Sequence, residues 1–334
     1  MTTGGGSRLR LGIVGTGWIA GTHLGDLARM GRTELVGVVS RTSEAAAATA
    51  GTWGGRAYAD VDAMLDDARP DVVYVCVPPH RSVAIGERLV ERGIPFLVEK
   101  PLAAADADGP GRLAAAIDRA GLVVAVGYHW RGLDLLPAIR ERLAERPARL
   151  VVARWLGGTP QPYWWGRIDQ GGGQVIEQAT HLLDLARHLV GEAEVIGATS
   201  TRLPGASPPE VEVADATAAT LRFESGAIGE FTTTRRIVAP IIELAIASDG
   251  LMTTLALEQT DGPTGDPRGW VVRFEGDDGV VERRATRDPY EVQAEAFLDA
   301  VEAGDPSRVL STYADALRTD RLTRAIVVAT GRPG

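Results

Sequence analysis

The chain has 334 residues, 45 % hydrophobic and 24 % charged, which fits a globular protein long enough for two domains with a sizeable core. Its net charge of −9 argues against nucleic acid or an anionic membrane as partner and leaves small molecules. The single cysteine, Cys76, excludes an intrachain disulfide; residues 1–10 hold no apolar signal core and no later run is membrane-length, so a cytoplasmic protein is expected.

Residues 8–14 form a short apolar strand that runs into Gly15-Thr16-Gly17-Trp18-Ile19-Ala20 and then a helical stretch to about Met30. This is a dinucleotide fingerprint in its GxGxxA form. Gly15 permits the tight turn, Gly17 lets a pyrophosphate approach the backbone, and Ala20 lets helix and strand pack closely. The next strand, 34–39, ends in Ser40-Arg41-Thr42, where a site selecting NAD presents an acid to the ribose. A hydroxyl and a guanidinium suit a 2′-phosphate instead, so NADP(H) is the preferred cofactor and NAD(H) the possible one, Arg41 then simply stacking on the adenine.

Helix and strand alternate onward: a helix over 43–50, a strand at 56–58, a helix from Val61, and a continuous apolar strand over 72–77. That strand stops at Val77-Pro78-Pro79-His80, a loop expected either to line the cofactor or to serve as a plain strand stop. A helix at 83–92 and the strand 94–98 lead to Glu99-Lys100-Pro101. A lysine at the carboxyl end of a parallel strand lies where open α/β sheets hold ligands, which makes Lys100 the first candidate for chemistry. A helix over 111–120, a strand at 123–126 and a helix near 133–143 complete a six-stranded doubly wound sheet.

Beyond Leu150 the pattern changes to strands near 150–155, 195–201, 214–223, 227–234, 241–247, 252–257, 270–274 and 280–284. Turn signals such as Glu224-Ser225-Gly226, Ser248-Asp249-Gly250 and Asp277-Asp278-Gly279 separate them. The expected fold class is therefore α/β, an N-terminal doubly wound parallel sheet in 1–125 followed by an α+β domain in 126–334 with a large open antiparallel sheet. Helices over 289–302 and 312–329 are expected to pack back on the first domain.

Between these strands Gly171-Gly172-Gly173 precedes a helical stretch, 174–190, in which Glu177, His181 and Asp184 are spaced i, i+4, i+7 and share one face at about 100° per residue. The stripe reads as a catalytic face in which a carboxylate orients His181, as a metal site with Asp184 and His188, or as solvated polar groups. No strong zinc spacing is present. Tyr163, Trp164 and Trp165, followed by Arg167, form an aromatic loop that could wall a nicotinamide or a sugar.

These motifs resemble the Gfo/Idh/MocA family, named for glucose-fructose oxidoreductase, inositol dehydrogenase and rhizopine catabolism, over nearly the whole chain, from residues 12–20 through Glu99-Lys100-Pro101 to Gly171-Gly172-Gly173 and His181-Leu182-Leu183-Asp184. The resemblance implies a Rossmann domain with an open sheet domain, NAD(P)-dependent hydride transfer with sugars, cyclitols or related polyols, and homodimers or homotetramers formed through that sheet. It makes Lys100 the lysine at the reacting hydroxyl and His181 the acid or base. Glu177 stands where many members have Asp, and His129, within Gly127-Tyr128-His129-Trp130-Arg131, stands where Asn is common and adds a second imidazole. Redox-neutral glycoside cleavage and dinucleotide sensing are alternatives among such proteins; a sensor would need neither Lys100 nor His181.

Overall fold

The strand β1 (Leu9–Val14) is buried from Leu11 onward and lies between β2 (Thr33–Val39) and β4 (Val72–Val75), parallel to both. The computed structural model describes residues 8–203, 205, 208, 210–258, 269–277 and 279–331. Residues 1–7 and Asp278 of the expected third turn lie outside the described residues. Two units divide the chain: one holds the residues up to Leu102, Asp108–Gly127 and Gln293–Tyr313, the other Ala103–Ala107, Tyr128–Val292 and the residues from Ala314.

In the first unit α1 (Trp18–Met30), α2 (Ser43–Trp53), β3 (Arg56–Tyr58), α3 (Val61–Asp67), α4 (Pro79–Glu91), β5 (Phe96–Val98), α5 (Gly109–Ala120) and β6 (Val124–Val126) complete a parallel sheet of order β3-β2-β1-β4-β5-β6. That order reverses direction next to β1, which places the carboxyl ends of β1 and β4 at the sheet's switch point. Leu11, Ile13, Leu27, Tyr74 and Leu97 fill the core beside Phe297. β4 stops at Val75, two residues short of the expected 77. α4 starts at Pro79, four residues earlier than expected, because proline's fixed φ and missing N–H suit the first helical position.

In the second unit α6 (Leu136–Glu145), β7 (Leu150–Leu156), α7 (Gln174–Glu177) and α8 (Thr180–Val190) precede a run of strands. These are β8 (Ala193–Thr201), β9 (Ala216–Phe223), β10 (Ile228–Thr234), β11 (Ile241–Ser248), β12 (Leu251–Leu257), β13 (Trp270–Gly276) and β14 (Gly279–Arg284), followed by α9 (Pro289–Ala303) and α10 (Tyr313–Ala329). The sheet order is β14-β13-β12-β11-β7-β10-β9-β8. Alternate residues such as Val151, Leu221, Phe231, Leu244 and Val272 face the core, which gives the strands their period of two. The hairpins are antiparallel, but β7 pairs parallel with β10, Ile228 opposite Leu150, because β7 comes from far upstream and enters the sheet between two hairpin blocks. Most of α9, from Gln293, belongs to the first unit, whereas α10 from Ala314 belongs to the second. Among the described residues no helix is long and apolar enough to cross a membrane.

Candidate active site

The nucleotide cradle is built by the end of β1. Gly15 has φ 102°, and a Cβ there would lie 2.0 Å from the Cys76 carbonyl oxygen, so only glycine fits where β1 and β4 end side by side. Gly17 caps α1 in extended conformation with no side chain bonded to the helix amides, and a Cβ on it would meet nothing within 4 Å. An uncapped helix start with no acid in its first turn is an anion site: its amides and positive dipole end point at whatever sits there. The residues present therefore fit a pyrophosphate. Trp18 is 65 % exposed beside this opening and Ile19 is half-buried.

At the end of β2, Ser40 Oγ lies 2.7 Å from Thr16 Oγ1, tying this loop to the glycine turn, and Arg41 is exposed. The Thr42 hydroxyl accepts from the Ala45 amide and caps α2. Val77 and Pro78 are half-buried, Pro79 is buried as the first residue of α4, and His80 is exposed.

β5 ends in Glu99 and Lys100. The Glu99 carboxylate turns inward: Oε1 lies 2.7 Å from His23 Nε2 of α1, both side chains are buried, and Oε2 occupies the space where a Cβ on Gly127 would stand. His23 went unnoticed in the sequence because 76 residues separate the partners. Lys100 is half-buried, and its peptide to Pro101 is cis.

In the second unit His181 sits in the first turn of α8 and is 5 % exposed. The single helix expected over 174–190 is two. Ala179 N–H donates to the Gln174 carbonyl, five residues back, and His181 N–H to the Gln178 carbonyl, three back, so the ladder is interrupted between Glu177 and His181. Both carboxylates expected to orient His181 are held elsewhere. Glu177 accepts from Trp165 Nε1 at 2.7 Å. Asp184 is gripped by Arg131, Nε to Oδ2 at 2.7 Å and Nη2 to Oδ1 at 2.6 Å, and accepts from Thr319. Burial opposes the Arg131 charge, but Asp184 and Asp315 override it, so the guanidinium stays more firmly protonated than usual.

The wall around His181 is aromatic. Trp130 stacks on it at 4.6 Å between centroids, Trp155 of β7 stacks on Trp130, and Tyr128 meets it edge-on, while the Tyr128 hydroxyl reaches Thr180 at 2.7 Å. His129 approaches at 5.0 Å. Trp130 and Trp155 are the ring residues that sequence reasoning passed over. In the expected aromatic loop Trp165 is 1 % exposed and packed inside, while Tyr163 faces solvent. His188 is removed from this wall: it accepts from Arg140, and burial, with Arg131 and Arg140 nearby, pushes its pKa down to about 4. Among the described residues no group of three His, Cys, Asp or Glu could hold a metal ion, so the metal reading of the stripe has no support.

Comparison with known proteins follows the same division. The model of an oxidoreductase family with an NAD-binding Rossmann fold matches residues 9–128, and that of the GFO/IDH/MocA C-terminal domain matches 147–247. A dTDP-3,4-didehydro-2,6-dideoxy-alpha-D-glucose 3-reductase of Streptomyces violaceoruber is 34 % identical over 196 residues, 57 % of each chain. A UDP-N-acetylglucosamine 3-dehydrogenase of Acidithiobacillus ferrooxidans is 26 % identical over 89 % of this chain and 90 % of its own. Among solved structures, a 3-ketoreductase of Actinomadura kijaniata in complex with NADP and TDP-benzene superposes with a TM-score of 0.84 at 21 % identity, covering 97 % of this chain and 98 % of that one. With both family domains matched in order along one chain, and the fold agreeing throughout, the protein belongs to the Gfo/Idh/MocA family of NAD(P)-dependent oxidoreductases.

Proposed function

We propose that the protein is an NADP(H)-preferring oxidoreductase that interconverts a carbinol and a carbonyl in a pyranose-like substrate, at the 3-position. The observation that carries the reading is the uncapped start of α1, where the tight turn at Gly15 leads into Gly17, whose open side leaves room for a pyrophosphate. The 3-position comes from the relatives, whose names place their chemistry there. The preference for NADP(H) rests on Ser40 and Arg41 standing where an acid would read the ribose.

When bound, the nicotinamide supplies a hydride acceptor or donor. Lys100 is assigned to the reacting oxygen, where its ammonium steadies developing alkoxide charge by hydrogen bonding. His181 is assigned to the proton of that hydroxyl, since imidazole titrates near neutrality. Trp130 and Trp155 keep water from the imidazole, which strengthens each polar contact it makes. Glu177 and Asp184, placed with His181 by spacing, are assigned support of the fold around it.

The test is a panel of nucleotide-linked and free pyranoses, with their 3-keto forms and cyclitols, assayed by nicotinamide absorbance with both cofactors. Turnover of at least one sugar with NADP(H) favoured supports the reading. Preference for NADH overturns the cofactor assignment, and turnover of cyclitols alone overturns the substrate class.

A further inference from the structure

His129 opens a short turn, His129–Gly132, and is 7 % exposed. One face of its ring lies flat on Tyr290 at 3.7 Å and 13°. It also meets His181 at 5.0 Å between centroids and 78°, edge to face. The geometry is fixed from several sides. Arg131, two residues on, clamps Asp184 on α8, three residues beyond His181, so the turn and the helix share one buried ion pair. Gly132 lies so close to the start of α9 that a Cβ there would come within 2.9 Å of the Pro289 carbonyl oxygen. Tyr290 follows directly, and its ring is thereby held under His129.

Two imidazoles in an aromatic, water-poor setting repel one another when both are charged, and neither is well solvated there. A pair at this separation therefore takes up one proton readily and a second only at much lower pH, and its titration belongs to the pair. We propose that His129 is a positioning residue coupled to His181 through charge, so that the pair holds one positive charge at a time and His129 sets the pH at which His181 takes up or gives up its proton. The proposal rests on the reading of His181 as the acid–base group. In the oxidative direction the substrate O–H breaks and an N–H bond forms on His181, while the carbinol hydrogen leaves with its electron pair for the nicotinamide. Reduction runs the same step in reverse, and a charge on His129 favours release of the proton from His181.

Tyr128, Trp130 and Tyr290 meet the pair directly, the Arg131–Asp184 ion pair joins the two elements that carry it, and Glu177, just before the helix break, is held by Trp165. Arg131 and Asp184 balance each other, and burial drives the Tyr128 hydroxyl well above its ordinary pKa, so it stays protonated over the working range. His188, on the same helix, is engaged by Arg140.

The experiment compares wild type with His129→Phe, which keeps a ring on Tyr290, and with His129→Asn, which keeps a polar partner. Nitrogen-15 spectra of histidine-labelled protein follow the titration without any substrate; only five histidines are present, so single variants assign them. The wild-type His181 signal should titrate in two steps or one abnormally shallow step, and His129→Phe should restore a single ordinary step moved by about one unit or more. The acid limb of kcat/KM against pH should move to higher pH in His129→Phe, because the charge that opposed protonation of His181 is gone, with His129→Asn moving the same way and cofactor affinity kept in both. An unchanged His181 titration and pH profile in a folded His129→Phe overturns the pair. Coupled titration without turnover of any sugar leaves the pair standing and overturns the function assigned to it. Should His129→Phe fail to fold, the wild-type titration decides alone: two independent ordinary steps overturn the proposal.

Discussion

Arg131 holds Asp184 by two parallel hydrogen bonds, 2.7 and 2.6 Å long, with both side chains buried. The bridge joins the turn carrying His129 to the helix carrying His181 and extends through Thr319 to Arg187, which itself donates to Glu192 and Asp315. A bidentate guanidinium–carboxylate contact fixes orientation as well as distance, so the helix cannot roll about its axis without breaking it.

Removing one partner of this bridge should be worse than removing both. Asp184→Leu strips the buried Arg131 of its bidentate partner and leaves it on the more exposed Asp315, which is expected to destabilise the second unit by up to about 3–5 kcal/mol, while the double variant Asp184→Leu, Arg131→Met recovers part of that loss. Denaturant titration followed by tryptophan fluorescence measures it. Equal losses in single and double variants would show that the pair acts only by packing.

Lys100→Met should leave the dissociation constant for the dinucleotide close to wild type and lower kcat/KM roughly 10² to 10³-fold, the scale of one lost donor at a developing oxyanion. Steady-state kinetics paired with direct cofactor titration separates the two effects. A fully active variant would remove Lys100 from the reaction.

Cofactor choice is expected to turn on Arg41. Arg41→Ala should weaken NADPH more than NADH by about 1.5–3 kcal/mol, the range for a hydrogen bond to a charged group. Loss of the same size for both dinucleotides would mean that the guanidinium only stacks.

Stability should fall in mild acid because of His188. Its folded pKa, about 4, lies below its ordinary 6.5, so the unfolded chain takes the proton first. The contribution is fully present above pH 6.5 and is lost as pH falls toward 4; partial exposure of the ring reduces its size. Thermal melts of wild type and His188→Gln between pH 7 and pH 4.5 check this. The variant should lose less over that interval, and parallel curves would show that the imidazole is not held neutral.

The first unit was largely legible because each of its elements announces itself locally: an apolar run, a glycine turn, a helix of period 3.6. The Gly15–Gly17 turn and the strand ending in Lys100 are of this kind. What stayed hidden depends on distant partners or on hydrogen bonding that side-chain pattern does not record. The step at Gln178 and Ala179 shifts one amide to a carbonyl five residues back, and no periodicity reports that. Arg131 and Asp184 are 53 residues apart, and His23 and Glu99 76, so neither pair stands out from the charged residues around it. Trp165 looked like a site wall because aromatics on a glycine-rich loop advertise a pocket, yet its indole was needed inside, on Glu177.

The place of β7 in the second sheet bears on how that unit assembles. β8, β9 and β10 form one meander, β11 to β14 form another, and each can zip from local turns; β7 alone bridges them, touching β10 on one side and β11 on the other. During synthesis β7 leaves the ribosome well before either neighbour and must wait, unpaired and apolar on one side, while some eighty residues follow. Closing so long a loop is slow, so insertion of the central strand is the step expected to set the pace of folding for the unit. Until it happens two half-sheets expose raw edges, the state most open to aggregation and to capture by chaperones.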